Sequence, residues 1–245
     1  VDLCGFKKDR FYIYQAQWRP ELPMAHILPH WNWAERIGKV TPIHVYTSGD
    51  EAELFLNGKS LGRRKKGQYE YRLHWDDVTY EPGTVKVVAY KNGKIWAEDI
   101  VMTTGEPNQI SAIADRIGIN ADGQDLSFIT IAINDKDGLN VPRSNNNISF
   151  SIDGPGEIIA IGNGDATSHE SFLAMERKAY NGLCLAIVRS VKGKSGAITV
   201  TAKSEGLTQR KVVIQSKINQ SRRFRRKSSI DICSDLHRNY SSSLN

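Results

Sequence analysis

The chain has 245 residues, 40% hydrophobic and 24% charged, which is ordinary for a globular protein and enough for one large or two ordinary domains. No apolar run approaches the length of a bilayer-crossing helix, so a helical membrane span is not expected. The net charge of +6 sits largely in the tail: from Asn219 onward six basic residues face two acids, a balance of +4 that leaves the rest near neutral.

The chain opens Val1-Asp2-Leu3-Cys4-Gly5-Phe6 without an initiator Met, and this reads as the last strand and loop of a larger domain. Asp9 is placed to cap a helix over 10–17, since Phe11, Tyr14 and Trp18 recur at helical spacing. Then comes His26-Ile27-Leu28-Pro29-His30-Trp31-Asn32-Trp33, two His and two large aromatics in eight residues. From Thr41 the signals are strands and turns. Strands are expected at 42–47, 52–57, 85–91 and 94–101, with Asn57-Gly58 and Asn92-Gly93 as hairpin turns whose two positions need positive φ. Gly105-Glu106-Pro107 reads as a boundary. Seven further strands are expected at 110–114, 126–134, 148–152, 157–161, 183–191, 197–203 and 211–215, separated by turns such as Asp137-Gly138 and Asn181-Gly182. After Ile218 the composition turns to Ser, Arg and Asn, which reads as a tail.

The stretch Glu53-Leu54-Phe55-Leu56-Asn57-Gly58-Lys59-Ser60-Leu61-Gly62 is the most specific single match to a known pattern. With Trp75-Asp76-Asp77-Val78, Tyr80-Glu81-Pro82-Gly83 and Val88-Ala89-Tyr90 it resembles the sandwich that follows the catalytic barrel in family 2 glycoside hydrolases of β-galactosidase type. The run 121–128 and Gly162-Asn163-Gly164-Asp165 with Ser168 and Glu170 resemble the last sandwich of the same enzymes. The resemblance covers residues 1–217 and implies a fold: all-β, two immunoglobulin-like β-sandwich domains in tandem with a short N-terminal barrel-exit segment. The expected units are 1–38, 39–105, 106–217 and a basic tail at 218–245.

The implied parent reaction is retaining hydrolysis of a terminal β-galactoside by a Glu acid/base and a Glu nucleophile. In the family the acid/base Glu follows an Asn; this chain has no Asn-Glu dipeptide, and its resemblance begins after both positions. No catalytic residue is therefore assigned, and the chain alone is expected to be inactive. The acid pairs Asp76/Asp77, Glu51/Glu53, Asp135/Asp137 and Asp165/Glu170 read as solvated turn and strand-flank residues. His30, Trp31 and Trp33 are the candidates for sugar contact, because indole faces stack on the CH face of a galactosyl-type ring; packing between barrel and sandwich is the competing reading.

No metal or cofactor is expected. His26, His30, His44 and His74 lack a recognised ligand spacing, and Asp135-Lys136-Asp137-Gly138 lacks the closing Glu of a calcium loop. Ser168, His169 and Glu170 are merely adjacent in sequence. Cys4, Cys184 and Cys233 are too scattered for a disulfide framework. The basic run 222–227 has one aromatic and no accompanying nucleic-acid module, so nucleic acid is not an expected partner. The resemblance implies the catalytic barrel of the parent as partner, carbohydrate and a homo-oligomer as further associations, and a periplasmic or secreted compartment. A stand-alone carbohydrate-binding or adhesive sandwich is the alternative from a different class.

Overall fold

The computed structural model describes residues 1–218; apart from Ile218, the tail and its basic run lie outside the described residues, as does Cys233. The chain begins with helix α1 (Asp9–Trp18), strand β1 (Ala25–Leu28) and a short 3-10 turn (Ala34–Arg36). A first sandwich is built from β2 (Ile43–Thr47), β3 (Glu51–Leu56), β4 (Lys59–Lys65), β5 (Leu73–Trp75), β6 (Thr84–Lys91) and β7 (Lys94–Met102). One sheet runs β1-β2-β5 and the other β4-β3-β6-β7.

The residue pattern explains the packing. Along β3 the inward set Ala52, Leu54 and Leu56 is buried while Glu51, Glu53 and Phe55 alternate on the other face, as period-2 side chains must. Leu54 and Leu56 stand opposite Val87 and Val85 of β6. They join Ile43, Val45 and Trp75 from the facing sheet in one core cluster. Hairpin turns are closed by Asn57 (φ 49) with Gly58 (φ 81), and by Asn92 (φ 52) with Gly93 (φ 75). Both residues of each turn are left-handed, the conformation that makes Asn-Gly favourable there.

The second sandwich comprises β8 (Gln109–Ala114), β9 (Gly118–Asn120), β10 (Leu126–Asn134), β11 (Asn147–Asp153), β12 (Gly156–Gly162), β13 (Glu176–Lys178), β14 (Leu183–Ser190), β15 (Gly196–Lys203) and β16 (Arg210–Lys217). Sheet β12-β14-β10-β8 faces sheet β13-β11-β15-β16-β9. Ile129, Ile131 and Ile133 of β10 meet Ile148, Ile198 and Ile214 in its core. The fold is thus nearly all β, with two immunoglobulin-like sandwiches in tandem.

Two expectations at the N-terminus are corrected. Residues 1–8 form no strand: the Asp2 carboxylate instead accepts the Cys4 and Phe6 N–H groups in a turn. Asp9 is not the helix cap either. Lys8 holds that position without a side-chain bond, and Asp9 lies in the first turn, where its carboxylate accepts the His26 Nε2–H at 2.8 Å. An acid is favoured in a first turn by the helix dipole, and here it also finds a partner 17 residues along the chain.

Candidate functional site

The His30–Trp33 motif follows β1 through a cis Leu28–Pro29 bond and leads into the 3-10 turn. Trp31 turns into the first sandwich and is 0% exposed. Its indole N–H donates to the Glu81 carbonyl at 2.9 Å, and its ring lies 4.7 Å from that of Tyr80. The Thr103 hydroxyl donates to the Trp31 carbonyl at 2.7 Å, so both ends of this residue are fixed. No face of Trp31 is open to a ligand.

Trp33 and His30 sit nearer the surface and hold each other. Their rings stack with centroids 4.4 Å apart and 16° between planes, and the Trp33 indole N–H donates to the His30 carbonyl at 2.7 Å. The Trp33 backbone N–H donates to the Tyr80 hydroxyl at 3.1 Å. His30 is half-buried. Burial lowers its pKa, the Arg143 cation lowers it further, and Asp9 and Glu35 pull the other way without restoring it. The imidazole is therefore neutral at neutral pH, an acceptor at Nδ1 for the Asn32 N–H at 3.3 Å.

The same motif is where the two sandwiches meet. Asn32 accepts both the N–H and the hydroxyl of Thr104 through Oδ1, each at 2.9 Å. Arg143, from the second sandwich, donates through Nη1 to both carboxylate oxygens of Glu35 at 2.7 and 2.8 Å. Its guanidinium lies 5.3 Å over the Trp33 ring. Asp135, 1% exposed, secures the linker by accepting the Gly105 N–H at 2.9 Å, and closes its own turn by accepting Asp137 and Leu139. Between the sandwiches an open hollow of about 360 Å³ is lined by Trp33, Ile37, Pro82, Glu106, Arg143 and Asn145, among others.

The remaining sequence candidates are engaged locally. Asp76 bonds His74, Glu51 pairs with Arg63, and Glu53 accepts from Ser60. The 135–138 stretch is a β-turn with Gly138 at φ 84. Ser168 and Glu170 both bond Arg177 rather than lining up with His169. His44 and His74 face each other across β2 and β5 with rings 6.4 Å apart. Among the described residues no group of three or more His, Cys, Asp and Glu is placed to hold a metal ion, and no helix is long and apolar enough to cross a membrane.

Two features go beyond what the sequence analysis read: the burial of Arg177, and the exposure of aromatics on α1 whose helical spacing alone was visible. Arg177, 1% exposed, donates to the carbonyls of Ile161, Glu170 and Ser171 and so staples the long 163–175 connection. On α1, Tyr14 and Trp18 pack on each other at 4.9 Å yet are 53% and 74% exposed, beside a hollow of about 530 Å³ that Val1 and Phe11 also line.

Comparison with known proteins agrees with this architecture. Residues 110–213 match the glycoside hydrolase family 2 C-terminal domain 5 family, and residues 38–97 match a family described only as a domain of unknown function. A beta-galactosidase of Bacteroides ovatus is 41% identical over 85% of this chain and 24% of its own length. A beta-glucuronidase of Formosa agariphila is 29% identical over 88% of this chain and 22% of its own. The crystal structure of a beta-glycosidase from Bacteroides vulgatus superposes with a TM-score of 0.83 at 30% identity, covering 88% of this chain and 27% of that one. The chain spans about a quarter of the length of the curated relatives it matches. It belongs to glycoside hydrolase family 2, as a C-terminal β-sandwich region of that family.

Proposed function

We propose that this chain is the non-catalytic support of a longer family 2 glycosidase, docked against a catalytic barrel that hydrolyses a terminal β-galactoside. The division into 1–38, 39–105 and 106–217 belongs to the same reading. The observation that carries it is the outer face of α1, where Tyr14 and Trp18 leave a large aromatic surface open (53% and 74% exposed). Stable chains rarely present adjoining large aromatics to water without a partner for them. The name of the Bacteroides ovatus relative supports the galactoside, while the Formosa agariphila relative's name points to glucuronides.

His30 and Trp33 are the part of this support that reaches the sugar, and Trp31 positions them from the core. A stacked, neutral His–Trp pair offers a flat apolar edge beside a polar one, as a sugar wall requires. The test is direct. The chain alone should show no turnover of a chromogenic β-galactoside, and measurable activity would overturn the non-catalytic reading. In the full polypeptide, His30→Ala and Trp33→Ala should raise KM for a β-galactoside; unchanged KM in both variants would remove them from the sugar wall.

A further inference from the structure

The hollow at the seam is used neither by the two cores nor by the α1 face. Its volume of about 360 Å³ falls within the range of small-molecule sites. Trp33, Ile37, Pro82 and Pro107 give it an apolar floor, with Ile37 60% exposed. Asn145 and Asn146 give it an amide rim; the Asn146 side-chain Oδ1 accepts the Ser144 hydroxyl at 2.6 Å, which leaves its side-chain amide nitrogen as the donor.

Charge narrows the class of ligand. The charged side chains on the lining are Arg143 and Glu106. Arg143 is already matched by both oxygens of Glu35, so it offers no spare positive charge, whereas Glu106 pairs with no cation among the described residues. A carboxylate or phosphate entering here meets a like charge without compensation. A neutral ring with one CH face and several hydroxyls meets what it needs: indole and proline surface below, amide and carboxylate groups at the side.

We infer that this hollow is a binding site for a neutral saccharide unit, built jointly by the two sandwiches. The inference rests on the sugar-facing reading of Trp33, and is independent of the docking of α1. Residues come from both domains, so the site exists only while the Glu35–Arg143 and Gly105–Asp135 contacts hold the seam together.

The experiment is an NMR titration of the isotope-labelled 245-residue chain with methyl β-galactoside, and separately with methyl β-glucuronide. Binding of the galactoside is expected with a Kd of about 1 to 10 mM, as for a small ligand making few contacts. The amide signals of Glu106, Asn145, Asn146 and Trp33 should move together. Asn145→Ala combined with Asn146→Ala should weaken binding about tenfold through lost hydrogen bonds. Glu106 has no hydrogen-bond or ion-pair partner among the described residues, and Glu106→Gln should tighten glucuronide binding about threefold or more by removing the like charge. Its readout stands even if the double variant disturbs the loop. Shifts confined to His30 and Trp33 would refute the hollow while leaving the sugar-facing reading intact. No shift anywhere at about 50 mM ligand would overturn both, because binding that weak is not recognition. Equal affinity for galactoside and glucuronide would overturn the assignment to neutral sugars.

Discussion

Residues 26–33 and helix α1 carry similar aromatic content and meet opposite fates. In the first, Trp31 is 0% exposed, and the indole N–H groups of Trp31 and Trp33 both reach backbone carbonyls. In the second, Trp18 is 74% exposed, with Tyr14 against its ring. Aromatic rings that fill a core generally satisfy their polar tips internally, although the buried Trp75 indole N–H has no partner among the described residues, whereas exposed rings leave theirs in water. On the proposed reading, the difference separates the part of this chain that holds itself together from the part offered to a catalytic barrel.

The sharpest way to break that contrast is Trp31→Ala. Removing a fully buried indole leaves a cavity in the first sandwich, and a loss of about 3 to 5 kcal/mol is expected in a urea melt. A loss below about 1 kcal/mol would place Trp31 outside the core. Arg177→Leu follows, at about 3 kcal/mol, because the carbonyls of Ile161, Glu170 and Ser171 lose their donor together. That loss belongs to the second sandwich, so protease cleavage within 163–175 should accelerate while the first sandwich stays intact.

Asp135→Ala should cost about 2 kcal/mol, by stranding the N–H groups of Gly105, Asp137 and Leu139. The position also has a pH signature. Burial raises the Asp135 carboxyl, but the N–H donors of Gly105, Leu139 and Asp137 outweigh it and hold the group below the ordinary carboxylate range. A depressed folded value means that the unfolded chain binds the proton first. The contribution is thus present above the unfolded carboxyl value and lost as pH falls through the folded one. Urea midpoints taken from about pH 7 down to about pH 3 should fall less steeply in Asp135→Asn than in the parent chain. Equal slopes would show that the linker does not depend on this charge.

Much of this was legible in the sequence, and the parts that were not share a cause. Strands β3 and β10 alternate inward apolar residues with outward ones, β6 and β14 are mostly apolar runs of strand length, and each Asn-Gly turn adopts the backbone its residues favour. Strands β5, β9 and β13 have three residues each, too few for a period of two to register. Strand β1 hides inside the His-Trp motif, since Ala-His-Ile-Leu reads equally well as a linker. The motif was visible as a cluster of aromatics, yet composition could not tell which of its two tryptophans points inward. Arg177 was invisible altogether: the tripeptide Glu-Arg-Lys reads as solvated surface, and the carbonyls that make burial of its guanidinium tolerable come from strand β12, 16 positions away, and from the loop after it.

The smaller effects belong to α1, where the two faces of one helix can be set against each other. Tyr12 stacks on His26 at 3.8 Å and Ala16 is buried against the sheet, so Tyr12→Ala should loosen the helix at a cost of about 1 kcal/mol. Trp18→Ser on the opposite face should change the stability of the chain by less than about 0.5 kcal/mol, because it removes surface that water already covers. Its consequence lies elsewhere. Binding of a hydrophobic dye such as ANS by the chain should fall, and in the full polypeptide the two-domain melt should uncouple, with the sandwiches and the barrel unfolding separately. If, as proposed, Trp18 docks a neighbour while Tyr12 anchors the helix to this chain, the two substitutions should rank in opposite order in the two assays. If Trp18→Ser destabilises the chain as much as Tyr12→Ala does, the outer face of α1 belongs to this fold rather than to a partner.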